Sequence, residues 1–251
     1  MRTLTARLKR DGFALAGGAL SASELNALDQ GLPIVVHGAG VRNLISNAAV
    51  AAILRRPAIR DLVHRVLGAG AVAFRATLFD KHAGANWAVP WHQDLSIPVN
   101  ERVASNHWSC WCEKAGVLHA QPPAEVLDQI LTVRVHIDAA PVENGPLRVI
   151  PGSHRLGRIS AEALPQITHS VPASTCIANP GDLLWMRPLL IHASSRATSP
   201  SRRRILHVEF ASTAVAYGSP SIAAASPAVN RTLTGGAGFG EPSVGAGYPS
   251  R

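Results

Sequence analysis

The sequence predicts a mainly β domain with flanking helices, a sandwich or barrel carrying its helices on one side. Three observations lead there. Residues 1–70 read largely as helix, and from Val72 the texture changes to short strands. Turns rich in Gly, Pro and Asn separate those strands.

One short strand is expected ahead of the helices. Arg2, Arg7, Lys9 and Arg10 before Phe13 imitate a signal peptide, but the apolar stretch is short, follows Asp11 and contains Gly17 and Gly18. A strand running into a turn explains it better. Ser21 with Glu24 three residues later forms a capping box and starts a helix through about Gln30. A second helical stretch covers 47–67, with Pro57 opening a new helix and Gly68 ending it.

Strands are predicted at 72–80, 91–97, 131–138, 147–150, 182–187, 189–193 and 204–211. Between them fall Glu143-Asn144-Gly145-Pro146, Pro151-Gly152-Ser153 and Asn179-Pro180-Gly181-Asp182, all with turn chemistry. Residues 101–128 form a long insertion, whose length implies function or order of its own. The expected organisation is a single domain over 1–217, helical through 70 and β from 71. Residues 218–251, rich in Gly, Ser and Pro, read as an extended or disordered tail.

Composition narrows the function classes. With 251 residues and 47% apolar content the chain can bury one sizeable core. Its net charge of +8 comes mostly from arginines spread along the chain, without recognition-helix or zinc-finger spacing, so no nucleic-acid partner is expected. Cys110, Cys112 and Cys176 make neither an even disulfide framework nor a zinc site, and read as reduced thiols. No apolar run reaches the length of a membrane span. A soluble, cytoplasmic protein with no membrane partner follows.

His92 and Asp94 lie two apart in a predicted strand and would project from one face. An imidazole and a carboxylate placed that way can supply two metal ligands. His192 is set into the apolar run Leu189–Ala193, with Ser194 on its face and Arg202, Arg203 and Arg204 following. Two histidines and one carboxylate on one face of a metal leave the opposite face open, the arrangement of non-haem Fe(II) oxygenases. Two open positions take a 2-oxo acid and the third dioxygen. An arginine fork suits the acid's far carboxylate.

On these residues the chain resembles the phytanoyl-CoA dioxygenase family of Fe(II)- and 2-oxoglutarate-dependent oxygenases. The matching segments are Arg10-Asp11-Gly12-Phe13 before a capped helix, Trp91-His92-Gln93-Asp94, the stretch from Glu143-Asn144-Gly145-Pro146 to Gly152-Ser153-His154, and Pro180-Gly181-Asp182 through His192 to the arginines. They cover about residues 8–212. The resemblance implies a double-stranded β-helix core, a jelly-roll of cupin-like form. It implies Fe(II) held by His92, Asp94 and His192, with 2-oxoglutarate and dioxygen as co-substrates. The family's co-substrate arginine, eleven residues beyond the second histidine, falls on Arg203. Ser194 matches a position that often contacts the same co-substrate, and Thr77 is a weaker candidate.

The implied reaction is hydroxylation, or a related oxidation, of an unactivated C–H bond in a small-molecule substrate, with release of succinate and carbon dioxide. Relatives that halogenate lack the carboxylate found here as Asp94. Where relatives often carry tryptophan this chain has Arg134, which is either a second cation for 2-oxoglutarate or an acidic substrate, or half of a structural ion pair. An arginine-rich site points to an anionic metabolite. Trp87, Gln93 and Trp108 are candidates for the substrate entrance. The competing readings are a cupin-like metal-dependent hydrolase or isomerase, or a small-molecule binding protein, using the same three ligands. Arg203 discriminates, because a hydrolase needs no cation at a dicarboxylate's distance from the metal.

Overall fold

The computed structural model describes residues 2–35, 38–114, 116–198 and 201–223. In chain order the elements are α1 (Arg2–Asp11), β1 (Phe13–Ala16), α2 (Ala22–Gly31), β2 (Gly40–Val41), α3 (Ala48–Leu54), α4 (Pro57–Leu67), β3 (Val72–Lys81), β4 (Val89–His92) and β5 (Ile97–Pro98). There follow β6 (Ser109–Lys114), β7 (Val117–Gln121), α5 (Ala124–Leu127), β8 (Ile130–His136), β9 (Leu147–Val149), α6 (Leu164–Ser170), β10 (Ser174–Cys176), β11 (Leu183–Met186), β12 (His192–Ser194), β13 (Arg203–Ala211) and α7 (Thr213–Ala216).

Two antiparallel sheets face each other as a jelly-roll. The larger has six strands in the order β1-β11-β8-β13-β3-β2, the smaller four in the order β10-β9-β12-β4. A third sheet, β5-β7-β6, stands beside them. The larger sheet alternates along most of its length, with a bulge where β13 meets β3 at Glu209 and Phe210. Val133 and Val135 of β8, Trp185 of β11, and Leu206, Val208 and Phe210 of β13 turn outward and pack on helical residues including Ile59, Leu62 and Val63. Each large side chain buried there contributes about 1.5–3 kcal/mol. The intervening positions of β3, β8 and β13 turn inward, toward the smaller sheet.

The helices have the termini their sequences foretell. Ser21 accepts from the Glu24 amide while Glu24 accepts from the Ser21 amide at 2.8 Å. Asn47 caps α3, Pro57 opens α4, and Gly68 ends it at φ 93°.

Several boundaries differ from expectation. The basic N-terminus is the helix α1, with Leu8 buried in the core, rather than a lead-in to a strand. The strand expected at 91–97 is two short ones, β4 and β5, so Asp94 lies past the end of β4, its amide bonded to the Pro188 carbonyl. The apolar run 189–191 is not strand; β12 begins only at His192. The 101–128 insertion contains the β6–β7 hairpin and α5. At the start of the tail, Ile222 bridges to Val99 and Asn100 bonds Ser221; residues 224–251 lie outside the described residues. No helix among the described residues is long and apolar enough to cross a membrane.

Candidate metal centre and co-substrate pocket

His92 closes β4 and His192 opens β12, and the two are direct partners across the antiparallel pair. Their ring centroids lie 4.1 Å apart. Each Nδ1 faces a backbone carbonyl two residues back, Pro90 O at 2.9 Å and Leu190 O at 2.8 Å. Donation to those carbonyls places the proton on Nδ1 and leaves the Nε2 lone pair free, the tautomer a metal ligand needs. Both Nε2 atoms point at Asp94, 3.6 Å from Oδ1 and 3.6 Å from Oδ2 respectively. One ligand atom from each residue lies within 4.8 Å of the others, the one such group among the described residues.

The electrostatics fit a cation. Asp94 Oδ2 is buried without a hydrogen-bond partner. Burial opposes its ionisation, yet the neighbouring His192 and His92 rings hold the carboxyl far below the usual range. Burial pushes His192 down to about 4, so it is neutral at pH 7. For His92 burial works the same way, but Asp94 outweighs it and raises the pKa. An ionised carboxylate with an orphaned buried oxygen, beside two correctly tautomerised imidazoles, suits a divalent first-row metal.

This triad opens on a cavity of about 570 Å³ between the two sheets. Arg203 projects into it from β13 and donates to the Gly145 carbonyl, while its Nε finds no partner. Burial, followed by the charge of Arg134, brings its pKa down to about 10, still cationic at neutral pH. Its neighbours turn the other way: Arg202 pairs with Asp80 and Arg204 with Asp138 and Asp29. Arg134 also faces the cavity. Its Nη1 lies 3.1 Å from His207 Nδ1, its guanidinium sits 5.7 Å over the Phe79 ring, and its Nε is orphaned. No carboxylate among the described residues pairs with Arg134 or Arg203. Buried cations without counter-ions are costly. An anion arriving in the cavity would offset that cost.

Thr77, Ser194 and Trp87 line the same cavity. Two candidates for the entrance do not. Gln93 is held by the Gly157 and Leu189 carbonyls and the Ile159 amide, which fixes it on the far side of the chain. Trp108 stacks on Trp111 in an apolar cluster beside the cavity.

Sequence reasoning missed four charged or titratable neighbours of the site. Lys81 is buried, bonds the Ser195 carbonyl at 2.7 Å and lies 5.4 Å from the Trp87 ring. Burial, then Arg203 and Arg134, bring it down to about 8. His207 sits between Arg134 and Glu209, and Glu209 forms a two-point ion pair with Arg75. Alternation along β3 and β13 was the available signal, since all four share the inward parity of Thr77 and Arg203.

Comparison with known proteins agrees with this geometry. The pattern of the phytanoyl-CoA dioxygenase family matches residues 8–205. L-proline trans-4-hydroxylase of Streptomyces griseoviridis is 26% identical over 188 residues, 64% of this chain and 62% of that protein's length. The chain thus spans under two thirds of that relative. Among solved structures, EctD from S. alaskensis superposes with a TM-score of 0.65 at 18% identity, over 84% of this chain and 77% of EctD. The non-haem α-ketoglutarate-dependent carbocyclase SnoK of nogalamycin biosynthesis gives 0.63 at 18% identity, over 84% of each chain. These two likenesses establish the jelly-roll fold. With a match across most of its length, the chain belongs to the phytanoyl-CoA dioxygenase family.

Proposed function

We propose that this protein is a non-haem Fe(II)- and 2-oxoglutarate-dependent dioxygenase that hydroxylates an unactivated C–H bond of a small anionic metabolite. One observation carries the reading: a two-histidine, one-carboxylate set shares its cavity with buried, unpaired guanidinium groups. A metal-dependent hydrolase has no use for those cations. Bound iron supplies dioxygen activation coupled to oxidative decarboxylation of 2-oxoglutarate to succinate and carbon dioxide.

In this reading His92, Asp94 and His192 hold the iron, and the Pro90 and Leu190 carbonyls fix the two rings. Arg203, steadied by Gly145, takes the far carboxylate of 2-oxoglutarate, with Arg134 beside it and Ser194 and Thr77 as hydrogen-bonding partners. The apolar walls Phe79, Leu147 and Val89 exclude water from the reacting atoms. An anionic substrate is favoured because the cavity's cations outnumber what one distal carboxylate offsets. The L-proline trans-4-hydroxylase likeness supports a small, carboxylate-bearing substrate.

Titrating the anaerobic Fe(II)-loaded protein with 2-oxoglutarate tests this directly. A visible metal-to-ligand charge-transfer band is expected. Its absence, in protein shown to contain iron, would leave the hydrolase or binding-protein reading standing.

A further inference from the structure

The cavity's lining falls into two regions, an inner arm and an outer arm, on either side of the triad. Along the paired strands β3 and β13 the inward residues stack in rows: Arg203 opposite Lys81, Ile205 opposite Phe79, His207 opposite Thr77, and Glu209 opposite Arg75. Asp94 is close enough for its charge to act on His207, Arg134 and Arg75, which sets the triad over the last two rows. The inner arm runs from there to Arg203. The outer arm takes in Arg75 and Glu209 and the exposed residues Arg42, Asn43 and Lys114. Its walls are Ile45, Phe74, Pro98 and Val117, and Ala223 comes in where the chain returns after α7. The whole cavity, at about 570 Å³, is in the range that holds a drug-sized ligand, roughly 300–1,000 Å³. A five-carbon dicarboxylate in the inner arm leaves the outer one free.

The charge of the outer arm is one-sided. Glu209 is its one acid among the described residues, and it is engaged by Arg75. Two further cations line the arm, Arg42 from the segment after β2 and Lys114 from the end of β6, and neither forms an ion pair among the described residues. They come from separate elements yet share a locale. His119 feels both: burial first, then Lys114, Arg75 and Arg42, depress its pKa. Lys114 is tethered to the segment between β4 and β5. Lys114 Nζ donates to Ser96 Oγ at 3.2 Å, and the Ser96 carbonyl accepts from Arg75. Arg42 precedes Asn43, which lines the cavity in the left-handed region at φ 61°, a conformation that side chains other than glycine rarely adopt.

We propose that the outer arm seats an amphipathic acid, its apolar skeleton along Phe74, Ile45, Pro98 and Val117 and its anionic head held at the mouth by Arg42 and Lys114. The proposal rests on the oxygenase reading, in which the inner arm belongs to 2-oxoglutarate. It specifies the substrate class: a molecule whose charge lies at the end remote from the metal, so that the oxidised carbon belongs to the apolar body. The Arg75–Glu209 pair then serves as a neutral divide between the two anion seats. Without it the positive field of one arm would reach the other.

The test uses metal-free protein, so it does not depend on turnover. Dansylglycine serves as the amphipathic acid and dansylglycinamide as its uncharged counterpart, with binding read by dansyl fluorescence. Wild type is expected to prefer the acid at least tenfold. The Arg42→Gln/Lys114→Gln double variant, altered only at exposed side chains, should lose that preference while binding the amide as before. Saturating succinate, which occupies the inner arm, should not displace the acid. Overturning results are no acid preference in wild type (including no binding of either probe), retention of the preference in the double variant, or competition by succinate. Failure here with a normal 2-oxoglutarate charge-transfer band would reject the outer seat alone, and a missing band would reject the oxygenase reading instead.

Discussion

Asp94 Oδ2 is buried with no donor to satisfy it, and its partners His92 and His192 offer only lone pairs once their Nδ1 protons go to carbonyls. Asp94→Ala removes the one anionic group of the proposed ligand set, so divalent-metal affinity measured by calorimetry should fall by at least about 100-fold, and oxygenation of any identified substrate should vanish. Arg203 makes a different contribution. Hydrogen bonds to charged groups are worth about 1.5–3 kcal/mol, so Arg203→Gln should weaken 2-oxoglutarate binding roughly 10- to 100-fold. Arg203→Lys should not restore it, because a point charge cannot replace the planar fork. Arg134→Gln should show a loss of similar kind, read in the same titration. His136 supplies a pH test remote from the ligands. Burial, then the charge of Arg134, lowers its folded pKa to about 4, against an unfolded value near 6.5. The unfolded chain therefore binds the extra proton first. Stability is complete above pH 6.5 and is lost as pH falls from there toward about 4, by on the order of 3 kcal/mol for this residue. His136→Asn should flatten that part of the profile in urea denaturation series; an unchanged slope would show that His136 is not the group responsible.

At the level of elements, local signals were read well where the backbone itself dictates them. The Ser21–Glu24 box, the Pro57 start and the Gly68 stop depend on neighbours in sequence, and all three are in place. Strands β3, β8 and β13 were legible because their outward Val, Leu and Phe positions alternate with polar ones facing the cavity. The failures share a cause. The segment 91–97 looks like one strand, yet the chain leaves β4 after His92 so that Asp94 can turn back beneath the two rings, a demand of the site that no propensity encodes. Leu189, Leu190 and Ile191 look like strand because they are apolar, but they owe their burial to a turn between β11 and β12. For the same reason the H-x-D pair could be read as a ligand set, whereas the orientation of Gln93 away from the cavity depends on contacts to Gly157 and Ile159 distant in sequence. The Glu143–Pro146 turn links element to site. Gly145 has φ 58°, a Cβ there would lie 2.3 Å from the Ser195 carbonyl oxygen, and its own carbonyl holds Arg203. Gly145→Ala should therefore cost at least about 1 kcal/mol in chemical denaturation from backbone strain alone. It should also weaken 2-oxoglutarate binding, although the substituted residue touches no ligand. A stability loss with unaltered co-substrate affinity would separate the turn from the seat.

Across the whole molecule, the metal set and the cations occupy opposite sheets of the jelly-roll, with His92 and His192 on the four-stranded sheet and Arg134 and Arg203 on the six-stranded one. Helical packing outside the larger sheet fixes the cationic floor, while the smaller sheet carries the two proposed histidine ligands on short strands, three residues in β12 and four in β4. A bound metal joins β4, β12 and the segment carrying Asp94, adding to the bulged β4–β12 pair and the Asp94–Pro188 backbone bond. Metal should thus stabilise the fold by linkage, since the unfolded chain cannot assemble the three ligands. At a free metal concentration about 1,000 times Kd the gain is about 4 kcal/mol. For a domain of this size each kcal/mol moves Tm by roughly 2–4 °C, so saturation should raise Tm by roughly 8–16 °C. Differential scanning of metal-free protein with and without Fe(II) under anaerobic conditions, or with Zn(II) as a redox-inert stand-in, checks the figure. The shift should vanish in Asp94→Ala and persist in Arg203→Gln, whose side chain touches the co-substrate seat and not the metal. Equal shifts in wild type and Asp94→Ala would mean that the metal binds elsewhere, and the triad would lose its assignment however well its geometry fits.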